Sequence, residues 1–303
     1  METTERAYRA IFFDLDGTLL PMEIEEFLKG YFTSLAAFVA ARGFDAQTFS
    51  AAVSAGVKAM IKSPSDQTND QAFWETFFSF VDRDAANWAA LLDHYYETEF
   101  GKLGATCGND PNVARAVRAL VNKGYPLIVA TMPLFPPRAV VWRLQWAGLD
   151  ANDFVRITTY DNSTSVKPKP AYCAENLAAC GLSGKDVLMV GNNTLEDMSF
   201  AGLGCDMYIV TDNLLDPVSF PLETVKHGTR ADFAVWAEAL PVCVNPAVGI
   251  NPAAVTPADT QVALAANYRL AVEDEQRVMA AFAASYTPRT GASWVADAAG
   301  QEA

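Results

Sequence analysis

The sequence predicts an α/β protein: a doubly wound, Rossmann-like parallel sheet with an all-helical block inserted after its first strand. Three observations carry this. From residue 110 onward, short apolar runs alternate with stretches of helical period, the pattern of parallel strands joined by crossover helices. The apolar runs are nearly continuous, as strands covered on both faces are. Residues 20–106, between the first two runs, carry helical periodicity and no strand pattern.

In chain order, the run from Tyr8 to Phe13 is the first strand, and it ends abruptly in Asp14, Asp16 and Gly17. In an extended chain, acids two positions apart project to the same side. They repel unless a cation lies between them or one keeps a proton. Gly17 permits a sharp turn and Thr18 adds a hydroxyl. Ile24, Phe27, Leu28, Tyr31, Leu35, Phe38 and Val39 then form one helical stripe, with Gly43 as its stop. A second helix covers about 45–62. Thr68 and Gln71 form a capping box ahead of Phe73, Trp74, Phe77, Phe78 and Val81. A fourth helix spans about 84–100, with Trp88, Leu91, Leu92 and Tyr95 inward. The aromatic content of this block reads as the core of a small helical domain in preference to a ligand box. Its polar loop, Ser63 to Asn69, is placed to reach the mouth of a site, with Lys58 and Lys62 nearby.

Asp110-Pro111 opens the next helix and Gly124 closes it. There follow a strand at 126–131, a helix at 136–147, a strand near 154–159, a helix at 170–180, a strand at 186–190, a helix at 194–202 and a strand at 206–210. Parallel sheets bind ligands at the carboxyl ends of their strands, and Asp14, Thr131 and Gly191 all fall at such ends. Residues 242–258 are Pro-rich and read as a linker. Beyond them Leu264, Tyr268, Val272, Met279 and Phe282 make an apolar stripe. Such a stripe needs cover, either from its own chain or from a second copy in a homodimer.

A chain of 303 residues, half of them apolar, allows about two domains with a large core. A formal charge of −14 argues against a nucleic-acid or anionic-membrane partner. It leaves room for an anionic small substrate, because a local cation can dominate one cleft. Cys107, Cys173, Cys180, Cys205 and Cys243 show no paired spacing and read as reduced thiols. The first residues lack the apolar segment of a signal peptide, and the uncharged run from Ala239 to Ala258 is broken by four prolines. A cytoplasmic location is expected.

The run Asp14-Leu-Asp16-Gly-Thr18 resembles the first signature of the haloacid dehalogenase (HAD) superfamily. The rest of that signature follows in order: a strand ending at Thr131, Lys167-Pro-Lys-Pro170 before a helix, and Gly191-Asn-Asn-Thr-Leu-Glu-Asp197 after a strand. The resemblance runs from about residue 8 to 240. It implies a HAD core domain of residues 1–19 and 107–241, a helical C1 cap domain of 20–106, and a linker with a C-terminal helical extension at 242–303.

The resemblance also implies a Mg2+-dependent phosphatase that hydrolyses a small phosphorylated metabolite through an aspartyl-phosphate. In that reading Asp14 is the nucleophile, and Asp16 the general acid and then base. Thr131 and Lys167 contact the phosphoryl group, joined by Thr18 and Met132. Mg2+ is held by Asp14, Asp16 and the fourth motif, through Asn192, Asn193 and Asp197. The family pattern has an acid after the glycine, where this chain has two asparagines. An asparagine oxygen ligates Mg2+ without adding charge, so a weaker metal site is expected. The paired acids of the first motif disfavour a dehalogenase and a phosphonate hydrolase. A phosphomutase, or a weakly active or inactive phospho-ligand-binding protein, stands as the alternative. His94 and His227 sit in no motif.

Overall fold

The computed structural model describes residues 7–253. Its centre is a six-stranded sheet of β1 (Ala10–Phe13), β2 (Leu127–Val129), β3 (Arg156–Ile157), β4 (Val187–Gly191), β5 (Asp206–Val210) and β6 (Lys226–Gly228). The strand order is β3-β2-β1-β4-β5-β6 and every neighbouring pair is parallel. Successive residues of the central strands feed two separate cores. Ile11 and Phe13 pack with Leu127, Val129, Leu188 and Val190 on one side. Ala10 and Phe12 pack with Ile128, Val187 and Met189 on the other. Burial on both faces is why these runs carry no polar alternation.

Between β1 and β2 lie α1 (Ile24–Ala40), α2 (Ala46–Lys62), α3 (Asn69–Phe77) and α4 (Trp88–Thr98). Side chains mark the helix starts: Asp45 accepts from the Thr48 amide at 2.8 Å, and Asn87 from the Ala90 amide at 3.2 Å. The capping box of Thr68 and Gln71 is present at α3. The expected fourth helix is shorter than 84–100, because Asn87 caps it and Arg83–Ala85 forms a separate 3-10 turn. Phe49, Phe77 and Trp88 interlock these helices, with Phe77 edge-on to both at 5.7 and 5.5 Å between ring centroids. Truncating such a buried ring costs about 3–5 kcal/mol.

After the block come α5 (Pro111–Asn122), α6 (Pro137–Trp146), α7 (Pro170–Ala179) and α8 (Arg230–Ala239). Strand β6 and helix α8 extend the expected pattern. The strand is a three-residue edge reading Lys-His-Gly, with no apolar run to announce it. The segment expected as a helix at 194–202 is instead a 3-10 stretch, Asp197–Leu203. The Asn193 side chain accepts from the Leu195 and Glu196 amides at 3.0 and 3.1 Å, which delays the helical geometry.

The loop from Ser63 to Asn69 is pinned to the sheet domain. Asn69 donates to Pro133 O and Ser165 O at 3.1 and 3.0 Å, and Lys169 donates to Ser63 O at 2.7 Å. The described part of the stretch expected as a linker, residues 242–253, is also strapped down. Cys243 N, Ala247 N and Asn251 N donate to Lys123 O, Arg9 O and Ala179 O at 2.8, 2.9 and 2.8 Å. The apolar stripe from Leu264 to Phe282 lies outside the described residues. None of the five cysteines is in a disulfide. Among the described residues, no helix is long and apolar enough to cross a membrane.

Candidate active site

Phe13 is in register with Val129 on one side and Val190 on the other, so β1, β2 and β4 end level. Strand order reverses about β1, the position where open parallel sheets leave a crevice. Asp14, Thr131, Met132, Asn192, Asn193 and Asp197 all reach it from these three ends. Asp14 and Asp16 line the same crevice, but strand alternation does not put them there. The chain turns at Leu15, whose carbonyl accepts from Thr18 N and Leu20 N at 3.2 and 2.8 Å. Gly17 occupies the left-handed region of that turn, at φ +87°.

Lys167 is fully buried and joins two motifs. Its Nζ donates to Asp14 Oδ1 at 2.7 Å and to Asp197 Oδ1 at 2.6 Å. Burial alone would lower its pKa, but attraction to Asp14 and Asp197 outweighs this and holds the ammonium charged. The second oxygen of Asp197 accepts from the amides of Asn192 and Asn193, both at 2.9 Å. Gly191 makes this possible, since a Cβ there would lie 2.2 Å from Asp197 Oδ2.

Thr18 sits behind the crevice. Its hydroxyl lies 3.1 Å from Asp14 Oδ2 and 2.9 Å from Asn192 Oδ1, with one proton to share between them. The Asn192 amide group donates to Asn213 O at 2.6 Å. Asn192 is thus tied to the first motif, and Asn193 to its own turn.

Two arginines escaped sequence reasoning. Arg143, on α6 and only 1% exposed, forms an ion pair with Asp16. Arg230 donates to Thr18 O at 2.8 Å and to Asn213 Oδ1 at 2.6 Å, bracing the turn after Asp16. The signal for Arg143 was a lone cation within Val-Val-Trp-Arg-Leu-Gln-Trp; Arg230 had none. Burial pushes the Asp16 carboxyl above its ordinary range; Arg143 opposes the rise and Asp14 adds to it. Asp16 Oδ1, Thr131 Oγ1 and Arg143 Nη2 are buried without hydrogen-bond partners among the described residues. Their residues all line the crevice. His94 and His227 are exposed and do not line it.

The donor set fits a hard divalent cation. Asp14, Asp16, Glu196 and Asp197 share one cavity wall, and neither His nor Cys joins them. Burial pushes the half-buried Glu196 up to about 8; Lys167 opposes this, while Asp197, Asp14 and Asp16 add to it. Unbalanced negative charge of this kind is what a cation relieves. Among the described residues, no three His, Cys, Asp or Glu side chains converge on one point. Main-chain carbonyl, water and ligand oxygens would therefore complete the shell, as is usual for Mg2+.

The crevice continues into a cavity of about 700 Å3 between the sheet ends and the inserted helices. Leu28, Leu35, Val53 and Leu92 line it from α1, α2 and α4, and Phe73 and Trp74 from α3. The aromatic block is therefore both a helical core and a cavity wall. Lys58 lines the cavity and Lys62 does not.

A sequence model of the haloacid dehalogenase-like hydrolases matches residues 8–202. No curated protein matches the sequence. Among solved structures, CbbY from Rhodobacter sphaeroides in complex with phosphate is 19% identical, with a TM-score of 0.48 over 77% of this chain and 100% of that one. A predicted phosphoglycolate phosphatase from Haemophilus somnus 129PT is 18% identical, with a TM-score of 0.46 over 77% and 99%. A HAD phosphatase from Thermococcus onnurineus is 18% identical, with a TM-score of 0.45 over 80% and 99%.

Proposed function

The chain belongs to the haloacid dehalogenase-like hydrolases, and on that premise we propose that it is a Mg2+-dependent phosphatase working through an aspartyl-phosphate. One observation carries the reading. Asp14, held by Lys167, meets the partnerless buried oxygens of Asp16 and Thr131 on a single cavity wall.

Asp14 attacks phosphorus and the bond from phosphorus to the ester oxygen breaks. Asp16, whose carboxyl burial shifts toward the acid form, gives its proton to the departing alkoxide. Asp16 then takes a proton from water, whose oxygen attacks the phosphoryl group. The bond from phosphorus to Asp14 breaks, releasing inorganic phosphate and restoring both carboxyls. Thr131 Oγ1 is free to donate to a phosphoryl oxygen. Lys167 fixes Asp14 and offsets its charge. Mg2+, held by Asp14, the main-chain carbonyl of Asp16, and Asp197 or Glu196, would neutralise the phosphoryl charge.

Hydrolysis is favoured over phosphoryl transfer between two positions of one substrate, which requires a seat for a second phosphate. Among the described residues the cations lining the cavity are Lys58, which is exposed, and Arg143, whose charge is paired with Asp16. The test is phosphate release by the full chain from a broad ester panel with Mg2+. Turnover abolished by Asp14→Asn is expected, and absence of release from every ester rejects the reading.

A further inference from the structure

Resting on the phosphatase reading, we infer that the substrate is a monophosphate ester of a predominantly apolar alcohol, its organic part housed against α1, α2 and α4. The cavity runs without a break from Asp14 and Asp16 into the inserted helices. Leu28 and Leu35 on α1, Val53 and Val57 on α2, Leu92 on α4 and Phe135 beyond β2 line it. On α1 and α2 the spacings are seven and four residues, so each helix turns one apolar face inward. A helical domain packed only for stability would close these faces on one another; here, together with the strand ends, they bound about 700 Å3 of open space. That lies well within the ~300–1,000 Å3 of small-molecule sites, and exceeds what a two- or three-carbon phosphate needs.

The polar groups of this chamber point the same way. Tyr31 and Tyr96 line it, but their hydroxyls bond each other at 2.7 Å. Away from the strand ends, Ser54 Oγ is buried without a partner among the described residues, a handle for one polar atom of a ligand, while the Tyr160 hydroxyl is hydrogen-bonded to Trp74. A sugar would strand several hydroxyls against carbon, each weakening binding about fivefold or more. The charged side chains that the inserted helices add to the lining, Glu25, Lys58 and Asp93, are all exposed. With Asp14, Asp16, Glu196, Asp197 and Asp216 also lining the cavity, a second anionic group on the substrate would be repelled.

The experiment uses the full chain with Mg2+ and methyl, butyl and octyl phosphates below their micellar range, alongside glycerol 3-phosphate and glucose 6-phosphate. Expected is a kcat/KM that rises about threefold to fourfold per methylene while the chain still gains burial. Octyl phosphate should exceed both hydrophilic esters by at least a hundredfold. Calorimetric binding of butyl- and octylphosphonate, which cannot be hydrolysed, gives a readout independent of turnover. In Val57→Trp, which narrows the chamber, the octyl-to-methyl ratio of kcat/KM should fall about tenfold. Turnover confined to hydrophilic esters, or phosphonate affinity indifferent to chain length, overturns the inference and leaves the phosphatase reading standing. Chain-length-dependent binding with no hydrolysis of any ester does the reverse.

Discussion

The guanidinium of Arg143 forms an ion pair with the carboxylate of Asp16, across 127 residues of sequence and from a nearly apolar helix. Its charge also lies 4.5 Å from the centre of the Phe135 ring. The pair fixes the carboxyl assigned to proton transfer and restrains a pKa that burial drives upward. Arg143 touches no reacting atom in this assignment and is a positioning residue.

Arg143→Met should lower kcat about tenfold or more and move the alkaline limb of kcat/KM to higher pH. The sign follows from the roles. Burial raises the Asp16 pKa and Arg143 opposes it, so removing Arg143 raises it further. A proton donor with a higher pKa keeps its proton to higher pH. Stability should fall by about 3 kcal/mol, the low end for breaking a buried pair, because Asp16 can protonate. Arg143→Lys should recover part of the pH profile. An unmoved alkaline limb in Arg143→Met would show that the pair only stabilises the fold.

Lys167→Met should abolish turnover and destabilise the chain by about 3–5 kcal/mol, since Asp14 and Asp197 then face each other without a buried cation. Adding Asp14→Asn should restore about 1 kcal/mol or more by removing one of those charges. Urea denaturation of the four proteins of this cycle measures the coupling. Strictly additive effects would mean that Lys167 does not bind the two motifs together.

Gly191→Ala should be more harmful to activity than to folding. The new Cβ would lie 2.2 Å from Asp197 Oδ2, so the carboxylate must leave its two backbone amides and Lys167 must be displaced with it. A fall in kcat of roughly a hundredfold is expected, against a stability loss of about 1–3 kcal/mol. Wild-type kcat in this variant would show that the Asp197 position is not used in the reaction.

The two asparagines should respond differently to acid substitution. Asn193→Asp keeps an oxygen to accept from the Leu195 and Glu196 amides, and should leave stability within about 0.5 kcal/mol of the parent. Asn192→Asp places an oxygen against Asn213 O in place of an amide that donates to it at 2.6 Å, beside Asp14. It should cost about 1–3 kcal/mol without metal. Either variant should need less Mg2+ for half-maximal activity if its side chain faces the ion. Thermal melts and activity at graded Mg2+ separate the two effects, and identical Mg2+ dependence in all three proteins would exclude both positions.

The sequence by itself determined five parallel strands with crossover helices and the placing of Asp14, Thr131 and Gly191 at strand ends. These follow from local pattern: apolar runs covered on both faces, helix caps at Thr68 and Asp110, and a glycine turn after paired acids. Strand order, register and the edge strand β6 came from the tertiary structure. Gly17 and Gly191 were legible as residues, though not the close approaches to Asn192 and Asp197 that require them. Only the tertiary structure decided that Arg143 belongs to Asp16, that Arg230 braces the turn at Thr18, and that the asparagines of the fourth motif are bonded to neighbours. It also decided that the inserted helices enclose an apolar chamber in addition to a core of their own. Periodicity fixes which face of a helix is apolar but not whether that face meets another helix or a void. A buried charge is likewise silent in sequence, because its partner is chosen by chain crossing and not by spacing.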